Sequence, residues 1–339
     1  MARRSSVVST LIIFEFVVIA SGCSSASSPV PAPKSITTAG HELPQSLGTW
    51  TTKTSMPTPR YQLAVGVING ILYAGGGCDA IFCTGVLNTF EAYDPASDVW
   101  VTKAPMPTAR RGLAVGVVNG ILYAAGGIGT FDSIGDENCC ELNTLEAYNP
   151  ATDTWTTKAS MPTARGFVAA GVINGILYVV GGRSSSGYVS TLEAYNPATN
   201  SWTTERSMPT ARWGLAASVL NGKLYAIGGY NDLGDLNTVE AYNPATNTWV
   251  AKASMPTHRK YLTSDVIRGR LYAVGGFDRA YLTTVEAYDF VTNTWTTKTP
   301  MPTKRAGLAA GVVQGILYAV GGYHSRLWGM GTVEAFNLR

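Results

Sequence analysis

Charge is scarce in this chain. Of its 339 residues only 14% are Asp, Glu, Lys or Arg, and three are His. With Arg3, Arg4 and Glu15 of the leader set aside, 23 basic and 21 acidic residues remain. That near-neutral balance argues against a nucleic-acid partner, whose binder would show a concentrated basic face. A membrane-spanning run is missing too. The longest apolar stretch, Val7 to Ala20, has 14 residues interrupted by Glu15, short of the roughly 20 a helix needs to cross a bilayer. No segment shows a helical period, and no Ser-His-Asp spacing, phosphate-binding glycine loop or metal-ligand cluster stands out, so neither metal nor cofactor is expected.

The short apolar stretch, preceded by Arg3-Arg4, reads as an export signal over residues 1–22. Ala20-Ser21-Gly22-Cys23 resembles a bacterial lipobox, with Cys23 the lipidated residue; an ordinary secretory signal with an incidental cysteine is the alternative. Residues 23–47, rich in Ser, Pro and Ala, read as a flexible tether. The chain is thus expected outside the cytoplasm, in the periplasm, outer membrane or cell surface, touching the membrane only through the anchor.

Repetition fills the rest. Tryptophan recurs at Trp50, Trp100, Trp155, Trp202, Trp249 and Trp295, each followed by a Met-Pro-Thr-x-Arg segment. A Leu-Tyr-Ala-x-Gly-Gly-like segment ends at Gly77, Gly127, Gly182, Gly229, Gly276 and Gly322, and Glu-Ala-Tyr/Phe begins at Glu91, Glu146, Glu193, Glu240, Glu286 and Glu334. A period of about 47 residues indicates one array rather than two domains. Trp50 has no Glu-Ala-Tyr before it, and Glu334-Ala335-Phe336 has no Trp after it; the two loose ends complete one unit.

In the third unit, Val168 to Val172 is a short apolar run, Asn174-Gly175 a type I′ hairpin signal, and Ile176 to Val180 a second strand. Thr191 to Tyr195 and Ser201 to Thr204 supply two more, separated by an Asn-Pro-Ala-Thr-Asn turn. A four-stranded sheet cannot bury both faces alone, so neighbouring copies must stack, and radial stacking makes a propeller. The Gly-Gly, Glu-Ala-Tyr and Trp pattern resembles the kelch repeat. The expected fold is all-β: a six-bladed kelch-type β-propeller over residues 48–339, with four antiparallel strands per blade and the strand around Trp50 completing the last blade. The resemblance implies that first strands line the central channel and that Tyr and Trp pack between blades. A monomeric propeller is expected.

Residues repeated six times read as scaffold. Arg60, Arg110, Arg165, Arg212, Arg259 and Arg305, with the six glutamates, are expected to be structural, bonded to one another. Function is sought where copies differ: the pairs after each repeated Arg and after each Gly-Gly, which should ring the channel mouth. These supply the binding candidates Tyr61, Arg111, Phe167, Arg183, Trp213, Tyr230, Lys260, Tyr261, Asp278, Tyr323 and His324, a mixture suited to a sugar or peptide. In the fifth unit Asp265 replaces the Gly or Ser of the other five; a carboxylate near the channel axis is costly unless hydrated or paired. Asp265 and His324 are the acid–base candidates. Cys78 and Cys83 lie in one long loop and Cys139-Cys140 in the next, an even number suited to an oxidising compartment. Pairing within each loop and bonding between blades are both open.

Two functions follow. One is a non-enzymatic binding or scaffold propeller engaging a protein or glycan through its variable face. The alternative rests on the resemblance, since periplasmic six-bladed kelch proteins include sialic acid mutarotases; Asp265, His324, Arg111 and Arg183 would then act on a sugar. A galactose-oxidase-like copper site is rejected, because the repeat region offers only His258 and His324, in different units.

Overall fold

The computed structural model describes residues 47–79, 83, 85–130, 140–325 and 328–338. The leader, Cys23, the tether up to residue 46 and Cys139 lie outside the described residues.

Six four-stranded antiparallel sheets form the blades. In the third unit the strands are Ala169–Ile173, Ile176–Val180, Leu192–Asn196 and Ser201–Glu205, each within one or two residues of the expectation. Asn174 and Gly175 both have positive φ, 51° and 77°, as a type I′ turn demands. The fifth and sixth blades place Arg268 and Gln314 at the same left-handed position, where Asn is easier to accommodate.

Closure is as expected. Thr49–Lys53 pairs with Val333–Asn337, aligning Trp50 with Phe336, and is the outer strand of blade six. The seam explains a departure from the repeat. In the first five blades the Glu-Ala-Tyr hydroxyl donates to an Asp or Asn in the following turn, as Tyr195 does to Asn200 at 2.8 Å. That same Oδ1 accepts the Ala159 N–H of the preceding blade at 3.0 Å. Blade six has no such turn, because its outer strand comes from the other end of the chain, and it carries Phe336 instead. Thr299 takes over the seam, its hydroxyl donating to the Leu47 and Gly48 carbonyls at 2.9 and 2.7 Å.

Apolar clusters fill the space between blades. Tyr195 and Leu177 of blade three pack with Val118, Tyr123 and Ala147 of blade two. Each repeated tryptophan is half-buried and ties two blades together, its Nε1–H donating to a backbone carbonyl of the preceding blade, as from Trp202 to Ala159 at 2.8 Å. The inner strands carry Gly because the next blade intrudes: a Cβ on Gly171 would lie 2.6 Å from Leu224 Cδ1.

The repeated arginines and glutamates are six buried ion pairs, one per blade. In blade three Arg165 Nη2 donates to Glu193 Oε2 at 2.9 Å and to the Val179 carbonyl at 3.1 Å. Its Nη1 reaches the Gly181 and Thr191 carbonyls, and Thr163 of the Met-Pro-Thr segment donates to Glu193 Oε1 at 2.7 Å. Burial lowers the arginine pKa values, to about 10 for Arg60, Arg212 and Arg305, which still leaves each guanidinium charged at neutral pH. Strand-end carbonyls that a buried loop would leave unpaired are thereby satisfied.

Candidate functional site

The two sets of variable positions meet in space. Tyr61, Arg111, Gly166, Trp213, Lys260 and Ala306, each just after a repeated Arg, form isolated antiparallel bridges with Cys78, Ile128, Arg183, Tyr230, Phe277 and Tyr323, each just after a Gly-Gly. All lie on the face opposite the Asn-Gly hairpins, here called the loop face.

The next residue inward in each blade closes the channel. Gln62, Gly112, Phe167, Gly214, Tyr261 and Gly307 all have φ between 53° and 61°. Five hydrogen bonds link them across blades: Gln62 N–H to Gly307 O, Gly112 N–H to Gln62 O, Gly214 N–H to Phe167 O, Tyr261 N–H to Gly214 O and Gly307 N–H to Tyr261 O, at 2.7–3.1 Å. Glycine alternates with a large side chain around this ring. A Cβ at Gly112 would sit 2.8 Å from the Phe167 ring, and one at Gly214 3.4 Å from Tyr261. Phe167 is buried and Tyr261 half-buried in this seal, whereas Tyr61, Arg111, Arg183, Trp213, Tyr230, Lys260, Asp278 and Tyr323 are half-exposed around it. Holding Gln62, Phe167 and Tyr261 left-handed costs about 1 kcal/mol or more each, offset by the bonds they make.

Below the seal runs a cavity of about 460 Å³, lined by the inner strands from Leu63 to Val67 and their counterparts. Among the described residues, Asp265 is the only ionisable one on its wall. Its Oδ1 accepts the Val266 N–H at 2.7 Å. Burial pushes its pKa up to about 6, against the opposing pull of the Val266 and Val312 backbone N–H groups. His324 is exposed on the loop side of blade six and does not line this cavity, nor do Arg111 and Arg183. The four residues considered for sugar chemistry are therefore not gathered in one cavity. Arg111 lies over the Phe167 ring, 5.5 Å from its centroid, and donates to Gln62 Oε1 at 3.1 Å.

Blades three to five carry an aromatic belt on the loop face. Trp213 lies 4.9 Å from Phe167, 5.3 Å from Tyr261 and 5.7 Å from Tyr230 between ring centroids. Lys260 Nζ sits 4.1 Å above the Tyr230 ring and 3.0 Å from Asp235 Oδ1. A second run joins Phe277, Tyr281, Tyr323 and Tyr61, with successive centroids 5.3, 5.4 and 4.7 Å apart. Asp278 and His258 face a hollow shared with Asp235 and Arg279. Among the described residues, no three His, Cys, Asp or Glu side chains are grouped to hold a metal.

Tyr188, Asp232 and Tyr281 were missed by the sequence reasoning. They sit on two-residue hairpins, Arg183–Ser184 with Gly187–Tyr188, Tyr230–Asn231 with Gly234–Asp235, and Phe277–Asp278 with Ala280–Tyr281. The signal was the turn glycine at Gly187 and Gly234, both near φ 100°, just after the variable pairs. In blade one Cys78 and Cys83 form a disulfide, with Cα atoms 5.2 Å apart, so the first loop is closed on itself. Cys140 is also disulfide-bonded.

Comparison with known proteins matches the geometry. The KLHDC2/KLHL20/DRC7 Kelch-repeats domain model matches residues 156–322, and the Kelch motif model matches residues 59–107 and 109–162. The Kelch-like protein terF of Aspergillus terreus (strain NIH 2624 / FGSC A1156) is 32% identical over 139 residues, 40% of this chain. That match spans only 30% of the curated relative's length. Among solved structures, that of YjhT is similar with a TM-score of 0.70 at 19% identity, over 82% of this chain and 95% of the other; at that identity the likeness is one of fold.

Proposed function

The chain belongs to the kelch-repeat family, and from that premise we propose that it is an exported binding propeller that engages a protein or glycan through its loop face. One observation carries the reading: half-exposed aromatic and cationic side chains are concentrated on that face in blades three to five, at positions where the repeat itself requires none. A ligand arriving there meets a surface, because the ring from Gln62 to Gly307 seals the channel beneath it. Tyr, Trp and Arg are the side chains enriched at the centres of binding interfaces. In the cell the propeller is tethered by lipid on Cys23, outside the cytoplasm, where the disulfide of the first loop persists.

The test compares wild type with a variant carrying Tyr188→Ser, Tyr230→Ser and Tyr323→Ser, on a glycan array and in capture from envelope extract. Every ligand retained by wild type should be lost or weakened. Ligands bound equally well by the variant would sink the reading. Metabolic labelling with an alkynyl fatty acid, abolished by Cys23→Ser, tests the anchor.

Asp265 favours a second reading, a sugar-active enzyme related in activity to the mutarotases. A carboxyl with a pKa raised to about 6 on a cavity wall is suited to proton transfer near neutral pH. Exchange NMR on sialic acid and common hexoses tests it; rates unchanged at high protein concentration, or acceleration that survives Asp265→Asn, would remove it.

A further inference from the structure

A groove of about 950 Å³ runs between blades three and four on the loop face. Its walls are the two short hairpins: Arg183, Ser186 and Tyr188 from blade three, Asn231 and Asp232 from blade four, with Trp213 and the Pro209–Ala211 segment below. We infer that this groove binds an uncharged saccharide of two or three pyranose rings. The inference rests on the binding reading above and gives it a place and a ligand class.

Four features converge. First, the ring of Trp213 reaches the groove while its Nε1–H is shielded from solvent and has no hydrogen-bond partner among the described residues. The six repeated tryptophans all donate to a backbone carbonyl. A shielded donor without an acceptor is costly; four of the repeated arginines carry one at Nε as well, but the Trp213 ring borders a groove, where a ligand hydroxyl becomes its acceptor once the side chain turns. Second, two aromatic rings line the groove, Tyr188 and Trp213, and Tyr230 behind them meets Tyr188 edge-on at 6.2 Å and Trp213 at 5.7 Å. Such rings offer flat apolar surfaces to the C–H faces of a pyranose. Third, Arg183 and Asp232 bring one charge of each sign to the groove, and the Asp232 carboxylate lies within reach of the Tyr188 hydroxyl. Opposed charges favour a neutral ligand rich in hydroxyls over a uniformly charged one. Fourth, the groove suits a peptide poorly. Arg183 is bridged to both Gly166 and Tyr188, and Tyr230 to both Trp213 and Asp235. Neither strand therefore has a free edge for an added strand, and the outer strands of the two hairpins, Gly187–Tyr188 and Gly234–Asp235, are only two residues long. The largest aliphatic lining residue, Leu233, is 87% exposed and forms no pocket for a side-chain anchor. The size lies within the range of about 300–1,000 Å³ usual for small-molecule sites.

The probes are maltotriose, cellotriose and triacetylchitotriose, followed by saturation-transfer NMR and by chemical-shift titration of the Trp213 indole N–H. We expect saturable binding of at least one sugar, with the indole N–H moving downfield. Tyr188→Ala and Arg183→Ala should each weaken that binding about 10-fold or more. Trp213→Phe keeps a ring at the centre of the belt and removes the donor; it should weaken binding about 3- to 10-fold. Val291→Ser, in the exposed turn between Val285–Asp289 and Thr294–Thr297 of blade five, should leave the affinity unchanged, and thermal midpoints report whether each variant is folded. If no sugar binds, the saccharide is overturned; a loop-face variant that still loses a captured protein then leaves the binding propeller standing. Binding that all three groove variants leave intact overturns the groove.

Discussion

Replacing Asp265 by Asn should make the propeller more stable at pH 8 and leave it almost unchanged at pH 4. Four blades carry Gly at this strand position and blade four carries Ser218; only blade five places an ionisable group against the channel. A carboxyl that titrates near 3.8 when solvated and about 6 in the fold is disfavoured in its charged form by the folded state. Its contribution to stability is therefore fully present below pH 3.8 and is lost as pH rises through about 6. The full difference corresponds to about 3 kcal/mol. Asp265 is half-exposed to the cavity, and water there screens part of the charge, so about 1–3 kcal/mol is the expected gain. Asn keeps the carbonyl oxygen that accepts the Val266 N–H and carries no charge. Urea unfolding of both proteins at half-unit steps from pH 4 to 8 gives the comparison. The difference cancels every other titrating group, including the six buried glutamates, and should rise between about pH 4 and pH 6 and level off above that. A difference that is flat with pH, or an Asn variant less stable at pH 8, would show that the carboxylate is well stabilised in the fold and that the argument from burial is wrong.

Other consequences are open to measurement. Arg165→Met should destabilise by about 3–5 kcal/mol, because it strands the Glu193 carboxylate without a counter-charge, whereas Arg165→Met with Glu193→Leu should cost less; urea midpoints of the two variants decide. Gly171→Ala should cost about 1–3 kcal/mol, since its methyl would lie 2.6 Å from Leu224 Cδ1 and 2.7 Å from Val219 Cγ2. Arg268→Asn should raise the thermal midpoint slightly, worth about 0.5–1 kcal/mol, because Arg268 is held at φ 48° in a turn whose Asn counterparts adopt that conformation more easily.

Blade architecture was legible because every blade repeats the same physical constraints. Asn-Gly demands a tight turn, alternating small and apolar residues demand a buried strand, and an unmatched Trp50 demands an unmatched Phe336. Even the mutual bonding of Arg and Glu could be anticipated from their equal multiplicity. The seal was not legible. Left-handed conformation at Gln62, Phe167 and Tyr261 has no local signature, since none of these residue types favours positive φ. Its cause is the bond each makes to another blade, some 50 to 250 residues away in the chain. The expectation that the variable pairs ring the channel mouth therefore resolves into two roles: the second residue of each pair after a repeated Arg closes the channel, while Tyr61, Arg111, Trp213, Lys260 and the polar and aromatic residues after the Gly-Gly stand half-exposed around it.

That division explains why the candidates separate. A side chain that varies among copies can vary for two physical reasons. Phe167 and Tyr261 vary from Gly112, Gly214 and Gly307 because a six-membered ring of close backbones has room for large groups only at alternate places. Their variation is a packing solution, and the sequence presents it in the same form as variation for binding. Tyr188 and Tyr230 answer to no such constraint: they lie on short hairpins outside the ring, where small polar side chains would satisfy the fold equally well, whereas Trp213, bridged to Tyr230 and packed on Phe167 and Tyr261, joins the two sets.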